Sequence, residues 1–257
     1  MLQVKRQDQI TFLHSGALNR ISGLVHAFST RRGERNDFSL GPANSPNPMV
    51  QMNRARFTAA IGAAGWPIIK LKQVHSNIVV DVIDTSAAGA GADNAVEGDA
   101  AITDLPGVIL GVLTADCAPI LIADREGLAV AAVHAGWRGT AAGIAGATVE
   151  RLVARFGTDP EHLVAVIGPH IGACCYEVGE DVAAQIDVAA IVRMPEFPKP
   201  HIDLAAANRA QLARSGIPES QIETSSLCTK CRDDLFHSYR RDGKAMGHML
   251  SVIGIAP

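Results

Sequence analysis

Neither sign of charge prevails in this sequence: 23 Lys and Arg stand against 26 Asp and Glu, a formal net charge of −3. Binding to nucleic acid or to an anionic membrane surface needs a concentrated basic face, so the balance argues against both and toward a small substrate. No apolar run is long enough to cross a bilayer; the stretch from Val108 to Ala123 is too short and is interrupted by Asp116. The opening MLQVKRQDQITFLHSGALNR has no continuous apolar segment of export-signal length, and the expected location is cytoplasmic. Five cysteines, an odd count, do not suggest a disulfide framework, and reduced thiols fit such a compartment. No internal repeat, P-loop or dinucleotide-binding glycine fingerprint is present. None of the nine histidines forms a His-x-His pair, the arrangement on which a multicopper oxidase builds its several centres, so copper is not expected.

What the chain does have is a succession of short apolar runs, with 47% hydrophobic residues over 257 positions, enough for one large core. Strands are expected at Leu24 to Ser29, Ile78 to Ile83, Ala100 to Thr103, Val108 to Leu113, Pro119 to Ala123, Leu128 to His134 and Leu163 to Ile167. Helices are expected at Pro48 to Gly62, Thr140 to Phe156 (closed by Gly157) and Asp203 to Ser215 (capped by Asp203), with a helix start at Gly179 to Ile186. The Ala/Gly stretch SAAGAGADNAVEGDA reads as a surface loop. Tight spacing in the middle of the chain favours hairpins over crossovers, and the turn Tyr239 to Gly243 before the apolar run Met249 to Ile255 suggests a closing hairpin. The expected fold class is α+β, with mixed β-sheets in a layered sandwich flanked by helices, as a single domain over 1–257.

Three side chains stand out against this background. Cys117 and His134 leave apolar runs, in LGVLTADCAPILIAD and LAVAAVHAGWRGTAAG, and His75 leaves a third in LKQVHSNIVV. A thiol in an apolar strand is ordinarily an inert small hydrophobe, and beside Asp116 its thiolate needs a cation. A zinc ion held by two imidazoles and one thiolate supplies that cation and keeps a fourth position open, as catalytic sites do. Next to His134, Gly136 to Gly139 opens a helix with free N–H groups and the Arg138 guanidinium, a setting for an anion such as phosphate; close helix packing is the alternative use of these glycines. Arg31 and Arg54 are further candidates for an anionic group. Asp99 sits where an aspartate either satisfies backbone donors or orients a ligand. His170 reads as a support at most and the adjacent Cys174 and Cys175 as packing; Cys228-x-x-Cys231 has the spacing of a redox-active pair or of half a zinc knuckle, but a knuckle needs a second ligand pair, none lies nearby, and the pair reads as structural or incidental.

At these residues the chain resembles the laccase-domain or polyphenol oxidase family of the YfiH type, also called peptidoglycan editing factor. The resemblance rests on Lys72-Gln73-Val74-His75, Gly98-Asp99-Ala100, Thr114-Ala115-Asp116-Cys117, Val133 to Gly139, Gly168-Pro169 through Gly179, and Ser238 to Gly243. It implies one zinc per chain on His75, Cys117 and His134, which then serve as catalytic residues. It also implies phosphorolysis of adenosine, inosine and methylthioadenosine, with deamination of adenosine as a second reaction. The implied partners are purine nucleosides and phosphate; the candidate substrate contacts read from the residues themselves are Arg31, Arg54, Gly136, Arg138 and Gly139. One departure stands out: relatives carry Ser-Leu-Asn after the Arg-Arg-Gly turn, and this chain has Ser39-Leu40-Gly41.

Two other readings share the same residues. Cys117 as nucleophile with His134 as base would hydrolyse an amide, as in peptidoglycan precursors. A zinc-stabilised pocket that binds nucleosides without turnover is the non-enzymatic reading.

Overall fold

The computed structural model describes residues 2–34, 38–42, 45, 47–85 and 96–257. The part of the expected Ala/Gly loop at 86–95 lies outside them. In chain order the strands are β1 (Leu2–Gln7), β2 (Ile10–Ser15), β3 (Leu24–Ser29), β4 (Ile68–Ile69), β5 (Val79–Asp81), β6 (Ala100–Thr103) and β7 (Ile109–Thr114). They continue with β8 (Ala118–Asp124), β9 (Val130–Ala135), β10 (Leu163–Ile167), β11 (Ile191–Val192), β12 (His201–Ile202), β13 (Ile222–Thr224) and β14 (Met249–Ile255). The α-helices are α1 (Pro48–Ala60), α2 (Trp137–Ala141), α3 (Ile144–Phe156), α4 (Glu180–Ala183), α5 (Leu204–Arg214) and α6 (Tyr239–Asp242).

Two six-stranded sheets of mixed orientation form the centre, ordered β1-β2-β3-β14-β7-β4 and β13-β10-β8-β9-β6-β5. Strand alternation sorts the apolar residues into three layers of core. Leu110 and Val112 of β7 meet Leu121, Ala132 and Val166 between the two sheets. Ile109 and Leu113 of the same strand turn outward to Phe57 and Ala60 of α1. Ile120, Val133 and Ile167 leave the second sheet on its other face and pack on Ile144, Val149 and Leu152 of α3 and Leu204 and Leu212 of α5. The result is an α/β/β/α sandwich. Strands covered on both faces have no polar side, which is why β7 to β10 read as unbroken apolar runs.

Local signals set the helix ends. Asn47 caps α1, accepting from Met49 N, with Pro48 at its first position; Asp203 caps α5, accepting from Ala206 N at 2.8 Å. Gly157 ends α3 at φ 69°.

The structure corrects several expectations. The helix read as Thr140 to Phe156 is two helices, broken where Gly143 takes φ 84°. Of the expected central hairpins only β8–β9 exists: β6 pairs with β9 and β7 with β14, so the connections between β6, β7 and β8 cross from sheet to sheet. The tail is not a hairpin either. Residues Tyr239–Asp242 form a helical turn and β14 lies between β3 and β7. The β1–β2 hairpin was not anticipated; its turn uses Asp8 and Gln9 at φ 47° and 66°.

Candidate metal centre

Both loops that pass from the first sheet to the second near β7 carry a potential metal ligand. His75 lies between β4 and β5, and Cys117 between β7 and β8; His134 is in β9. His75 is therefore in a loop, not a strand, and it holds φ 61°. The chain there is pinned from two sides. The Gln73 amide pairs with Leu113 like one more strand residue, donating to its carbonyl and accepting from its N–H, each at 2.8 Å. Asp99 accepts from the N–H groups of Val74, His75 and Ser76 at 3.2, 3.0 and 2.6 Å, and from Oγ of Ser76 at 2.7 Å.

The same Asp99 carboxylate meets Nδ1 of His134 at 2.8 Å. It thus orients both imidazoles, one through its backbone and one through its ring, and leaves Nε2 of His134 for a ligand role. Asp99 was legible only as one of two alternatives; here it satisfies backbone donors and orients a ligand at once. Ligand atoms of His75, Cys117 and His134 lie within 4.8 Å of one another, on residues that are exposed, half-buried and buried in that order.

Strain is concentrated beside the thiol. Asp116, immediately before Cys117, is buried at φ 102°, a backbone state costing about 1–3 kcal/mol. Its carboxylate accepts from Thr229 Oγ1 and from Arg240 N, both at 2.6 Å, and its carbonyl accepts from Ile171 N at 2.8 Å. Hydrogen bonds to a charged group contribute roughly 1.5–3 kcal/mol each, enough for the pair to outweigh the strain.

The charges of the site are paired among Cys117, His134 and Asp99. Burial works against ionising the Cys117 thiol, but His134 and then His75 bring it below the ordinary thiol value. Burial also works against charge on His134, yet Cys117 and Asp99 hold it above the imidazole range. Asp99, though desolvated, stays well below the usual carboxylate range because His134 and Ser76 donate to it. A thiolate and two imidazoles form a donor set suited to a borderline-soft divalent metal, which His134 can join only by giving up the proton that Cys117 and Asp99 help it hold.

The three ligands open onto a cavity of about 760 Å³. Leu71, Ile171 and Leu204 make apolar wall; Arg138, Tyr176 and Arg240 bring polar groups to it. Gly136 does not line the cavity, but a Cβ there would come 3.0 Å from both Cys117 Sγ and His75 Cδ2. Gly139 lets α2 approach its neighbours: a Cβ would meet the Ser76 carbonyl at 2.9 Å. Arg54 is buried, donating to the carbonyls of Leu40 and Pro42 at 2.8 and 2.6 Å, and Arg31 donates to Asp233 O at 3.2 Å; neither lines the cavity. The Gly41 departure has a steric reason, since any Cβ would come 2.6 Å from Cβ of His248, itself a cavity residue. Sequence reading missed Tyr176, Arg240 and His248, which reach the cavity from segments far from the ligands.

Fold and site together define a layered α+β protein with a metal-ligand cluster at a substrate-sized cavity. A family model described as multi-copper polyphenol oxidoreductase laccase matches residues 25–256, and the chain belongs to that family. It is 41% identical over 241 residues to a purine nucleoside phosphorylase of Deinococcus radiodurans, covering 90% of this chain and 88% of that protein. The adenosine deaminase RL5 of an unknown prokaryotic organism is 38% identical over 251 residues, covering 89% and 93%. The crystal structure of the Bacillus licheniformis hypothetical protein YfiH matches with a TM-score of 0.87 at 31% identity, over 98% of each chain.

Proposed function

We propose that this chain is a zinc-dependent purine nucleoside phosphorylase acting on adenosine, inosine and methylthioadenosine, and that it deaminates adenosine in the same cavity. The observation that carries the reading is the convergence of His75, Cys117 and His134 within 4.8 Å at the cavity. The names of the relatives supply the substrate class. Despite the word copper in the family description, each of the two clusters of potential metal ligands among the described residues has at most two imidazoles, too few for several copper centres. One zinc suits two imidazoles and a thiolate, and there it supplies Lewis acidity and the power to lower the pKa of water.

The protein's own groups divide the remaining work. Arg138, exposed on the cavity wall, holds phosphate for attack on the ribose C1′ as the glycosidic C–N bond breaks and the base departs with the bonding electrons. Tyr176, whose phenol burial keeps protonated, offers a donor. So does Thr114 Oγ1, buried without a partner among the described residues. The purine ring lies against the apolar wall. Asp99 keeps His134 in one tautomer throughout. Because the ligands come from connections between the two sheets as well as from the second sheet itself, we further propose that residues 1–257 act as one domain.

No helix among the described residues is long and apolar enough to cross a membrane; reduced thiols favour a cytoplasmic location. The deciding experiment is turnover of adenosine with and without phosphate, with metal content measured on the same sample. Phosphate-dependent release of adenine and ribose 1-phosphate is expected, together with some inosine. A trapped acyl-thioester on Cys117 would instead favour amide hydrolysis, and saturable binding without any product would leave a binding module.

A further inference from the structure

Next to the cavity, a second set of metal-ligating side chains gathers from two segments distant in sequence. Cys174 and Cys175, in the turn after β10, meet Cys228 and Cys231, which follow β13, and the four Sγ atoms all lie within 4.8 Å of one another. Sγ of Cys231 is 3.7 Å from that of Cys174 and 3.4 Å from that of Cys175. Around zinc, bonds of about 2.3 Å to four thiolates place the sulfurs about 3.8 Å apart. All of these cysteines are free. The pair that sequence reading could not find for Cys228-x-x-Cys231 is thus Cys174-Cys175. Parallel pairing of β10 with β13, extended by a bridge between His170 and Cys228, brings the two segments together.

The backbone is shaped for the cluster. Gly172 N donates to Cys228 Sγ at 3.3 Å, the kind of N–H to sulfur bond that supports a metal-bound thiolate. Gly172 also leaves room: a Cβ there would come 3.3 Å from Cys174 Sγ and 3.4 Å from Cys228 Cβ. Cys228 O accepts from Arg232 N at 3.0 Å, closing the turn that carries Cys231.

We propose that Cys174, Cys175, Cys228 and Cys231 form a second, structural metal site that takes one Zn²⁺ as a tetrathiolate. Binding forms four Zn–S bonds and releases the S–H protons to solvent, with no change of oxidation state. Four protein ligands leave no open position, so the site does no chemistry itself. Its consequence lies next door. The two segments it ties together both grip Asp116, through Ile171 N at 2.8 Å and Thr229 Oγ1 at 2.6 Å. The second ion therefore steadies the residue that presents Cys117.

The test is metal analysis and thiol mapping of the full chain, purified with a reductant and without chelator, alongside the Cys117→Ala variant. The expected result is two equivalents of zinc per chain for the parent protein and one for Cys117→Ala. In both, Cys174, Cys175, Cys228 and Cys231 resist N-ethylmaleimide until zinc is stripped, and then all four react. Cobalt substituted into Cys117→Ala should give the intense visible absorption of a tetrahedral thiolate site. The parent's protection pattern reads the site even where the variant folds poorly. Two results would overturn the proposal: the four thiols of folded parent protein reacting equally with and without added Zn²⁺, or a disulfide joining Cys231 to Cys174 or Cys175 under reducing conditions.

Discussion

Oγ1 of Thr229 donates to the Asp116 carboxylate at 2.6 Å, across 113 positions of sequence. Because Asp116 holds φ 102° immediately before Cys117, this bond helps support a strained segment at the metal centre. Thr229→Val, equal in shape but without the donor, should weaken zinc at the His75–Cys117–His134 centre by less than the roughly tenfold that loss of a ligand's own partner brings, because Thr229 holds the residue before Cys117 and not Cys117 itself. Thr229→Ser should restore it. Competition with a chromogenic chelator measures both, and equal affinities for Val and Ser would deny Thr229 a positioning role.

Cys117→Ala removes the thiolate from the centre. It should lose one equivalent of zinc and all nucleoside turnover together. Full phosphorolysis by a variant lacking that ion would refute the proposed mechanism.

Asp99→Asn keeps the shape but removes the charge that meets His134 Nδ1 and the Ser76 donors. Loss of such a partner typically costs about 10–100-fold in metal affinity or activity. The expected signature is a lower zinc affinity together with lower turnover, the latter partly recovered at high zinc concentration; turnover unchanged at limiting zinc would count against it.

Gly136→Ala introduces a methyl group 3.0 Å from Cys117 Sγ and His75 Cδ2. Zinc retention and turnover should both fall, whereas Gly62→Ala, strained at φ 83° but with nothing within 4 Å, should change stability and leave zinc affinity alone. Comparing melting temperature with zinc content in the two variants separates the effects.

A pH effect comes from the first sheet. His26 accepts from Ser15 N at 2.9 Å through Nε2, so its ring is needed neutral. Burial, with a smaller contribution from His14, lowers its pKa to about 3. The unfolded chain, with the ordinary histidine value of about 6.5, then binds the proton more readily than the native protein. Stability from this group is complete above about pH 6.5 and falls by about 1.4 kcal/mol per unit as pH drops toward the folded pKa. His26→Gln, which keeps an acceptor without a proton to gain, should flatten this part of the curve in denaturant titrations between pH 6.5 and 4. Parallel curves for the two proteins would contradict the assignment.

Much of the architecture was legible because its signals are local. The bounds of β3, β6 and β10 coincide with their apolar runs, and Gly157 and Asp203 mark helix ends by backbone chemistry that needs no partner. Sheet membership was not legible: a run buried on both faces, such as Ile109–Thr114, looks the same in either sheet. The β1–β2 turn escaped because Asp8-Gln9 is not one of the glycine-bearing pairs that usually take positive φ. At the site, His75, Cys117, His134 and the adjacent Arg138 could be singled out from the residues as candidates, and the structure brings the first three together. Tyr176, Arg240 and the meeting of the two cysteine pairs depend on which strands become neighbours, and no short-range pattern records that.

The paths of the two connections at β7 have a mechanical consequence. His75 and Cys117 hang from bridges between the leaves of the sandwich, while His134 belongs to one leaf. Any sliding of one leaf over the other would therefore spread the three donors apart before the apolar interior is wetted. An ion held between them would act as a rivet, and its release would then herald separation of the leaves.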